Sequence, residues 1–269
     1  MKKTQGSIHW VDLAARAVAL CLSGRSSDQA LGELMSEAGV QRPSSQDRSA
    51  LGDLVFQVLR HWRLTQELVA PEALTPNWAV RLHVLLVDWP DGQAKSFRSR
   101  WTDWVNAQLK PEDQAKVLAC QARLRQADSL PLSVRWSIPD WMNQRLDDEA
   151  PGVAPELWPA LMKRAPVDLR VNVSSCKRAQ AQQMLAEEGI PCEPTPFSPW
   201  GLRLTQPTGL THTPVFKQGL IEVQDEASQL LAALVGARRG QIVVDFCAGA
   251  GGKTLALGAM MRGTGQLYA

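Results

Sequence analysis

Paired cysteine spacing is missing from this chain. Its five cysteines, Cys21, Cys120, Cys176, Cys192 and Cys247, are odd in number and include no Cys-x-x-Cys. That excludes a disulfide framework and a cysteine zinc site, and reads as reduced thiols of a cytoplasmic protein. The four His are scattered and suggest no ligand set, so no metal is expected. No apolar run is long enough to span a bilayer, so no membrane partner is expected. The start, Met1-Lys-Lys-Thr-Gln-Gly-Ser-Ile-His9, lacks the apolar segment of a secretory signal. Net charge is also scarce, at +2. It divides unevenly: residues 1–135 hold 17 Lys and Arg against 14 Asp and Glu, and residues 136–269 hold 12 against 13. Such a balance does not demand a nucleic-acid partner, although a local basic patch can still provide one. What is present, 45% apolar and 21% charged residues over 269 positions, is the composition of a globular protein of about two domains.

The richest stretch is Gln241-Ile-Val-Val-Asp245-Phe-Cys247-Ala-Gly249-Ala-Gly251-Gly252-Lys253-Thr254. Ile242, Val243 and Val244 form a short β-branched run, the pattern of a strand covered on both faces. Asp245 ends it. Gly249, Gly251 and Gly252 allow a tight turn and a close ligand approach. Thr254 to Met261 predicts a helix whose N-terminus suits an anionic group, and Gly265 to Ala269 opens a second strand. The unit is the start of a nucleotide-type α/β fold. Three ligand classes use such a turn. The P-loop pattern fits except at Cys247. The dinucleotide pattern misses its third Gly at Thr254. The first motif of S-adenosylmethionine-dependent methyltransferases misses one Gly, again at Cys247, but keeps the strand-ending acid. That carboxylate would oppose phosphates, yet it suits a ligand carrying an ammonium and a sulfonium. A purely structural turn is the remaining alternative.

Asp245-Phe-Cys-Ala-Gly-Ala-Gly-Gly-Lys-Thr254 resembles the first motif of the Nop/Sun-type RNA cytosine-5 methyltransferases, usually Asp-x-Cys-Ala-Ala-Pro-Gly-Gly-Lys-Thr, in which the Cys is normal. Val223-Gln-Asp225-Glu-Ala-Ser228 resembles that family's Val-Gln-Asp-x-Ala-Ser segment, and Leu169-Arg170-Val-Asn172 its Leu-Arg-x-Asn segment, in the same order and spacing. The chain departs at Gly249-Ala250, where Ala-Pro is usual; this loosens the turn but keeps its N–H groups. The resemblance implies S-adenosylmethionine as cofactor, held by Cys247, Ala248, Gly249, Ala250, Gly251, Gly252 and Lys253, and RNA, in particular ribosomal RNA, as partner. It further implies a multidomain fold: an all-α NusB-like helical bundle over 1–135, a small α+β linking part over 136–223, and the first strands and helix of a Rossmann-like methyltransferase domain over 224–269.

The patterns themselves agree with helices in the first half. Ile8 to Leu22 is an Ala-rich apolar helix, and Ser27 or Asp28 can cap the next one, carrying Leu31, Leu34, Met35 and Ala38. From about Gln46 to Leu68 one long helix is predicted, with Leu51, Leu54, Val55, Val58, Leu59 and Trp62 in a single stripe. Trp78 to Trp89 is apolar on most sides; Phe97, Trp101, Trp104 and Val105 give another face; Pro111 opens a further helix. Six to seven helices are expected in all. The ten Trp are taken as packing groups ahead of base-stacking ones. The segment Asp47 to Arg63 resembles a helix of the NusB-type RNA-binding domain. Its Arg60 and Arg63 are RNA candidates, with a solvated helix end as the alternative.

Further on, Ser137 can cap a helix, Val167 to Val173 alternates as a strand, and Ser175 to Glu188 is a helix ending at Gly189. Ile190 to Pro199 holds too much Pro for regular structure. Arg170 is a phosphate-binding candidate, with an ion pair as the alternative; Asn172 can bond a base edge or the backbone. Asp225 is a fair N-cap.

The resemblance implies covalent catalysis. A thiolate adds to carbon 6 of the cytosine, and a second Cys assists release of the base. Both belong to Pro-Cys and Thr-Cys segments downstream of the glycine turn, so no catalytic residue is expected within these 269 residues. A longer natural protein, and no activity from these residues alone, are the corresponding expectations. Two rival readings remain open, a P-loop nucleotide-binding protein and a non-catalytic RNA-binding module.

Overall fold

The computed structural model describes residues 9–37, 45–86, 95–163, 165–206 and 208–269; of residues 45–47 and 95–100 it describes the backbone. The expectations for Ile8, Ala38, residues 87–89 and the side chains of Gln46, Asp47 and Phe97 lie outside what is described. The chain forms two compact units, residues 1–164 and 165–269.

The first unit is helical. Its elements are α1 (Trp10–Leu22), α2 (Ser27–Ser36), α3 (Ser45–Arg60), α4 (Trp62–Val69), α5 (Pro76–Leu85), α6 (Lys95–Gln108), α7 (Pro111–Leu124), α8 (Leu132–Arg135), α9 (Asp140–Glu149) and α10 (Ala154–Met162). Small residues on α1, Ala14 and Ala17, let α3 and α5 pack closely against it. Leu51, Leu54, Val55 and Val58 of α3 are fully buried there, with Leu59 and Trp62 at the edge, as their stripe predicts. Trp101 and Val105 of α6 join the same core. A second core gathers Leu64 and Leu68 of α4 with Cys120 and Leu124 of α7. Helix α5 serves both, Val80 and Val84 on one side and Leu82 on the other.

Two expectations change here. The long helix breaks at His61 (φ −107°, ψ 20°), so residues 1–135 hold eight α-helices among the described residues. His61 Nδ1 bonds the carbonyl of Gln57 (3.0 Å), and Thr65 Oγ1 donates to the carbonyl of His61 (2.7 Å). Side-chain bonds back to the preceding turn bend helices, and the bend turns α4 towards the second core. Ser26 rather than Ser27 or Asp28 caps α2, because Gln29 completes a reciprocal box with it.

The second unit contains β1 (Asp168–Val171), α11 (Arg178–Glu187), β2 (Cys192–Pro194), β3 (Gly201–Leu204), α12 (Pro214–Lys217), β4 (Ile221–Val223), α13 (Glu226–Val235), β5 (Ile242–Val244), α14 (Gly252–Met261) and β6 (Gln266–Tyr268). Strands β2-β3-β1-β4 make an antiparallel sheet. Leu169 and Val171 point into a core with Ala181 and Leu185 of α11 and Val215 of α12. The strand β2 lies inside the proline-rich stretch expected to be irregular. It sits at the sheet edge, where Pro194 loses no ladder bond that an inner strand would need.

Strands β5 and β6 pair in parallel, joined through α14. One face, Val243 and Leu267, packs on Ala232, Ala256, Leu257 and Met261. The other face is open: Ile242 is 70% and Val244 65% exposed. The expected double cover of β5 is therefore corrected; β6 flanks it on one side and the helices cover one face.

Candidate functional site

The glycine turn is built as its residues dictate. The chain leaves β5 at Asp245, whose N–H still bonds the carbonyl of Tyr268 (2.8 Å). Gly249 (φ +55°) and Gly251 (φ +82°) take left-handed conformations that L side chains disfavour. Gly251 is the N-cap of α14, and no side chain caps that helix. The N–H groups of Gly252, Lys253 and Thr254 are thus the orphan donors of a helix N-terminus. Thr254 Oγ1 donates to Asp245 Oδ2 at 2.6 Å, fixing the carboxylate beside the turn. Cys247 and Lys253 are exposed, while Ala248 and Gly252 are half-buried and Ala250 lies at the surface. The turn candidates therefore stand together at the mouth of β5.

Beneath the turn lies a buried polar network. Asp168 and Arg170, on the second face of β1, are both covered despite the alternating sequence. Arg203 grips Asp168 with two bonds (2.7 and 2.9 Å), and Asp168 Oδ2 accepts the N–H of Glu226 (3.3 Å). The start of α13 covers this face. Asp225 caps α13 through the N–H groups of Ala227 and Ser228. The Glu226 carboxylate accepts the N–H groups of Phe197 (2.6 Å) and Ser198 (2.7 Å). Burial pushes its carboxyl up, but those N–H groups, the Thr195 hydroxyl and the nearby Arg203 outweigh it and hold it below the ordinary value.

The RNA candidates separate. Arg170 is 3% exposed, with Nε on Gln224 Oε1 (2.7 Å) and a terminal nitrogen on Glu222 (2.6 Å); of its two readings, the structure displays the ion pair. Asn172 likewise takes its backbone alternative, donating to the carbonyl of Gly219 (3.1 Å) and accepting from Ser174. Arg63 is tied within the helical unit, to the carbonyl of Ile138 (2.7 Å) and to both oxygens of Asp140 (2.8 Å each). The carboxyl of Asp140 is lowered, by the Ser133 hydroxyl first and Arg63 second. Arg60 ends α3, half-buried. Ser137, expected to cap the helix after it, instead accepts the N–H of Leu64 (3.1 Å) in α4; Pro139 stands at the N-cap of α9. No local pattern marks Gln224 and Glu226 as site residues, because Arg170, Phe197 and Ser198, which they bond, lie far away along the chain.

With this geometry in place, comparison with known proteins defines the class first. The family model described as "Methyltr_RsmF/B-like, ferredoxin-like domain" matches residues 138–211, the stretch from just before α9 through β3 to the loop before α12. Among curated proteins, the chain is 36% identical over 116 residues to Ribosomal RNA small subunit methyltransferase B of Pasteurella multocida (strain Pm70), covering 43% of this chain and 26% of that one. It is 26% identical over 263 residues to the protein of the same name from Yersinia pestis bv. Antiqua (strain Angola), covering 90% of this chain and 59% of that one. The chain is thus similar to proteins named ribosomal RNA small subunit methyltransferase B, which bears out the resemblance to RNA methyltransferases of that kind. It spans about a quarter to three-fifths of the length of these relatives. The solved structure of PH0851 aligns with 98% of this chain and 63% of its own, at a TM-score of 0.62 and 20% identity, a likeness of fold. No helix among the described residues is long and apolar enough to cross a membrane.

Proposed function

We propose that the turn after β5 holds S-adenosylmethionine and that the protein methylates carbon 5 of a cytosine in RNA, with 16S ribosomal RNA as substrate. The observation that carries this reading is the uncapped start of α14 behind a turn of left-handed glycines, with Asp245 fixed beside it. The residues present fit the cofactor. Nothing lies within 4 Å of where a Cβ would stand on Gly249 or Gly251, so a ligand has room at the backbone. When bound, the cofactor supplies an electrophilic methyl group. Residues Cys247 to Lys253 bind and orient it through backbone N–H groups, and Asp245 offers its negative charge to the ammonium. Cys247 lends its backbone, not its thiol. In this reading the thiolate that activates carbon 6 is none of the five cysteines here.

The same proposal makes residues 1–135 a NusB-like RNA-binding bundle, 136–223 a linking part, and 224–269 the opening of a Rossmann-like domain of a cytoplasmic enzyme. Arg60 is the RNA contact it carries forward, since Arg63, Arg170 and Asn172 have partners within the chain. The P-loop alternative would need the Thr254 hydroxyl for magnesium, whereas that hydroxyl is engaged by Asp245. Calorimetric titration separates the two. Binding of S-adenosylhomocysteine, with no response to magnesium and ATP, is expected. Magnesium-dependent ATP binding without S-adenosylhomocysteine binding overturns the proposal.

A further inference from the structure

Gln224 stands between β4 and the Asp225 cap of α13, and only 7% of it is exposed. Its backbone N–H bonds the carbonyl of Asp168 and its carbonyl accepts from Gln229 Nε2. Its Oε1 accepts from Arg170 Nε at 2.7 Å. A guanidinium can only donate, so the amide oxygen must face Arg170, and the amide orientation is settled by chemistry. The NH2 end therefore faces away from Arg170. That end lies against the start of α14: Nε2 is 3.3 Å from where a Cβ on Gly252 would stand, nearer than Cδ at 3.9 Å. Among the described residues Nε2 has no hydrogen-bond partner.

Although the residue as a whole is 7% exposed, Nε2 itself is not sealed from solvent, so its N–H groups are open to a ligand at this end of α14. Here the donor is presented at the same helix end as the orphan N–H groups of Gly252, Lys253 and Thr254. All are donors, and the helix dipole adds positive potential, so the group they suit is an anion. A side-chain amide adds no charge of its own. It can therefore join the site without competing with the ammonium that Asp245 attracts.

We propose that Gln224 Nε2 is a cofactor-binding donor that takes the carboxylate of the amino-acid moiety, together with the N-terminus of α14. Arg170, clamped by Glu222, is the positioning residue that turns the amide the right way. This rests on the reading of the turn as an S-adenosylmethionine site and adds the residue that distinguishes ligands with the amino-acid moiety from ligands without it. It also explains why a buried arginine sits below a cofactor turn without reaching it.

The test compares two ligands by calorimetry on the full chain: S-adenosylhomocysteine, and 5′-methylthioadenosine, which shares the adenosine and sulfur but has no carboxylate. The first variant is Gln224→Glu, nearly isosteric and able to keep the bond to Arg170. The second is Gln224→Leu, which removes the donor without adding charge. Wild type prefers S-adenosylhomocysteine. In both variants that preference falls about tenfold or more, the weight of one hydrogen bond to a charged group, while 5′-methylthioadenosine binds as before. A preference equal to wild type, or equal weakening of both ligands, overturns the role of Gln224. Failure of wild type to bind either ligand overturns the cofactor reading itself, and this inference with it.

Discussion

The strands β1 and β5 invert the relation between pattern and burial. Asp-Leu-Arg-Val at β1 alternates polar and apolar, yet all four residues are buried. Ile-Val-Val at β5 is wholly apolar, yet its two outer residues are exposed. What differs is the covering. One face of β1 carries α11 and α12, and the other lies under the start of α13, so Asp168 and Arg170 are buried with Arg203, Gln224 and Glu222 as partners. β5 has β6 beside it and helices over one face. Burial belongs to what is packed over a strand, and a strand's own pattern reports it only when both faces have ordinary partners.

The hardest way to break the contrast is at β1. Asp168→Ala removes the partner of Arg203 and the acceptor of the Glu226 N–H. Removing one member of a buried pair leaves the other uncompensated, at about 3–5 kcal/mol; partial exposure of Arg203 puts the value near the lower end. Urea unfolding followed by circular dichroism measures it. A loss under about 1 kcal/mol would mean that the covered face of β1 is solvated after all.

The helical unit offers a second covered case with a titratable probe. His83 is fully buried beside His61, with ring centroids 5.9 Å apart. Burial first and the neighbouring His61 second push its pKa down to about 3, against the carbonyls of Ala79 and Gln57, which raise it. The unfolded chain takes up this proton near pH 6.5 while the folded one does not. Stability is therefore complete above pH 6.5 and falls with pH from there towards 3, by at most about 1.4 kcal/mol per unit. Between pH 7 and pH 5 about 2 kcal/mol should be lost from the helical unit. Thermal melts across that range check it, and a His83→Gln variant should flatten the slope.

These contrasts also mark what the sequence could tell. The stripe of α3, the Asp225 cap, the Gly189 stop of α11 and the glycine turn were legible because each is a local pattern with a local physical cause. The break at His61 was not, because the apolar stripe runs through it unchanged; the bend comes from side-chain bonds to the preceding turn. The destination of Arg170 was illegible for a different reason. Glu222 and Gln224 lie 52 and 54 residues away, and only strand pairing brings them near. Arg63 meets Asp140 across 77 residues in the same way. In the site, the backbone half was readable from glycine spacing, and the side-chain half beneath it was not.

At the exit of β5 the contrast narrows to a single backbone angle. Gly251→Ala forces a side chain into the left-handed region at φ +82°, at about 1 kcal/mol, with open space around the new Cβ. The effect on S-adenosylhomocysteine binding should exceed the effect on the melting temperature, because the new methyl occupies the room left for the ligand. Equal and small effects on both would place the ligand elsewhere.

The smallest expected effect is on the bare face of β5. Val244→Ser exchanges a residue already 65% exposed, so little apolar surface returns to water on unfolding. A lower strand preference remains, within about 0.5 kcal/mol. The prediction is a melting curve close to wild type, in clear distinction from Asp168→Ala. If Val244→Ser instead lowers stability by more than about 1 kcal/mol, the face carrying Ile242 and Val244 is covered in solution. A second copy of the chain would then make the melting temperature depend on protein concentration. An unchanged melting temperature on dilution would exclude that copy and leave the two strands as the structure shows them, one buried with its charges and one apolar and exposed on its outer face.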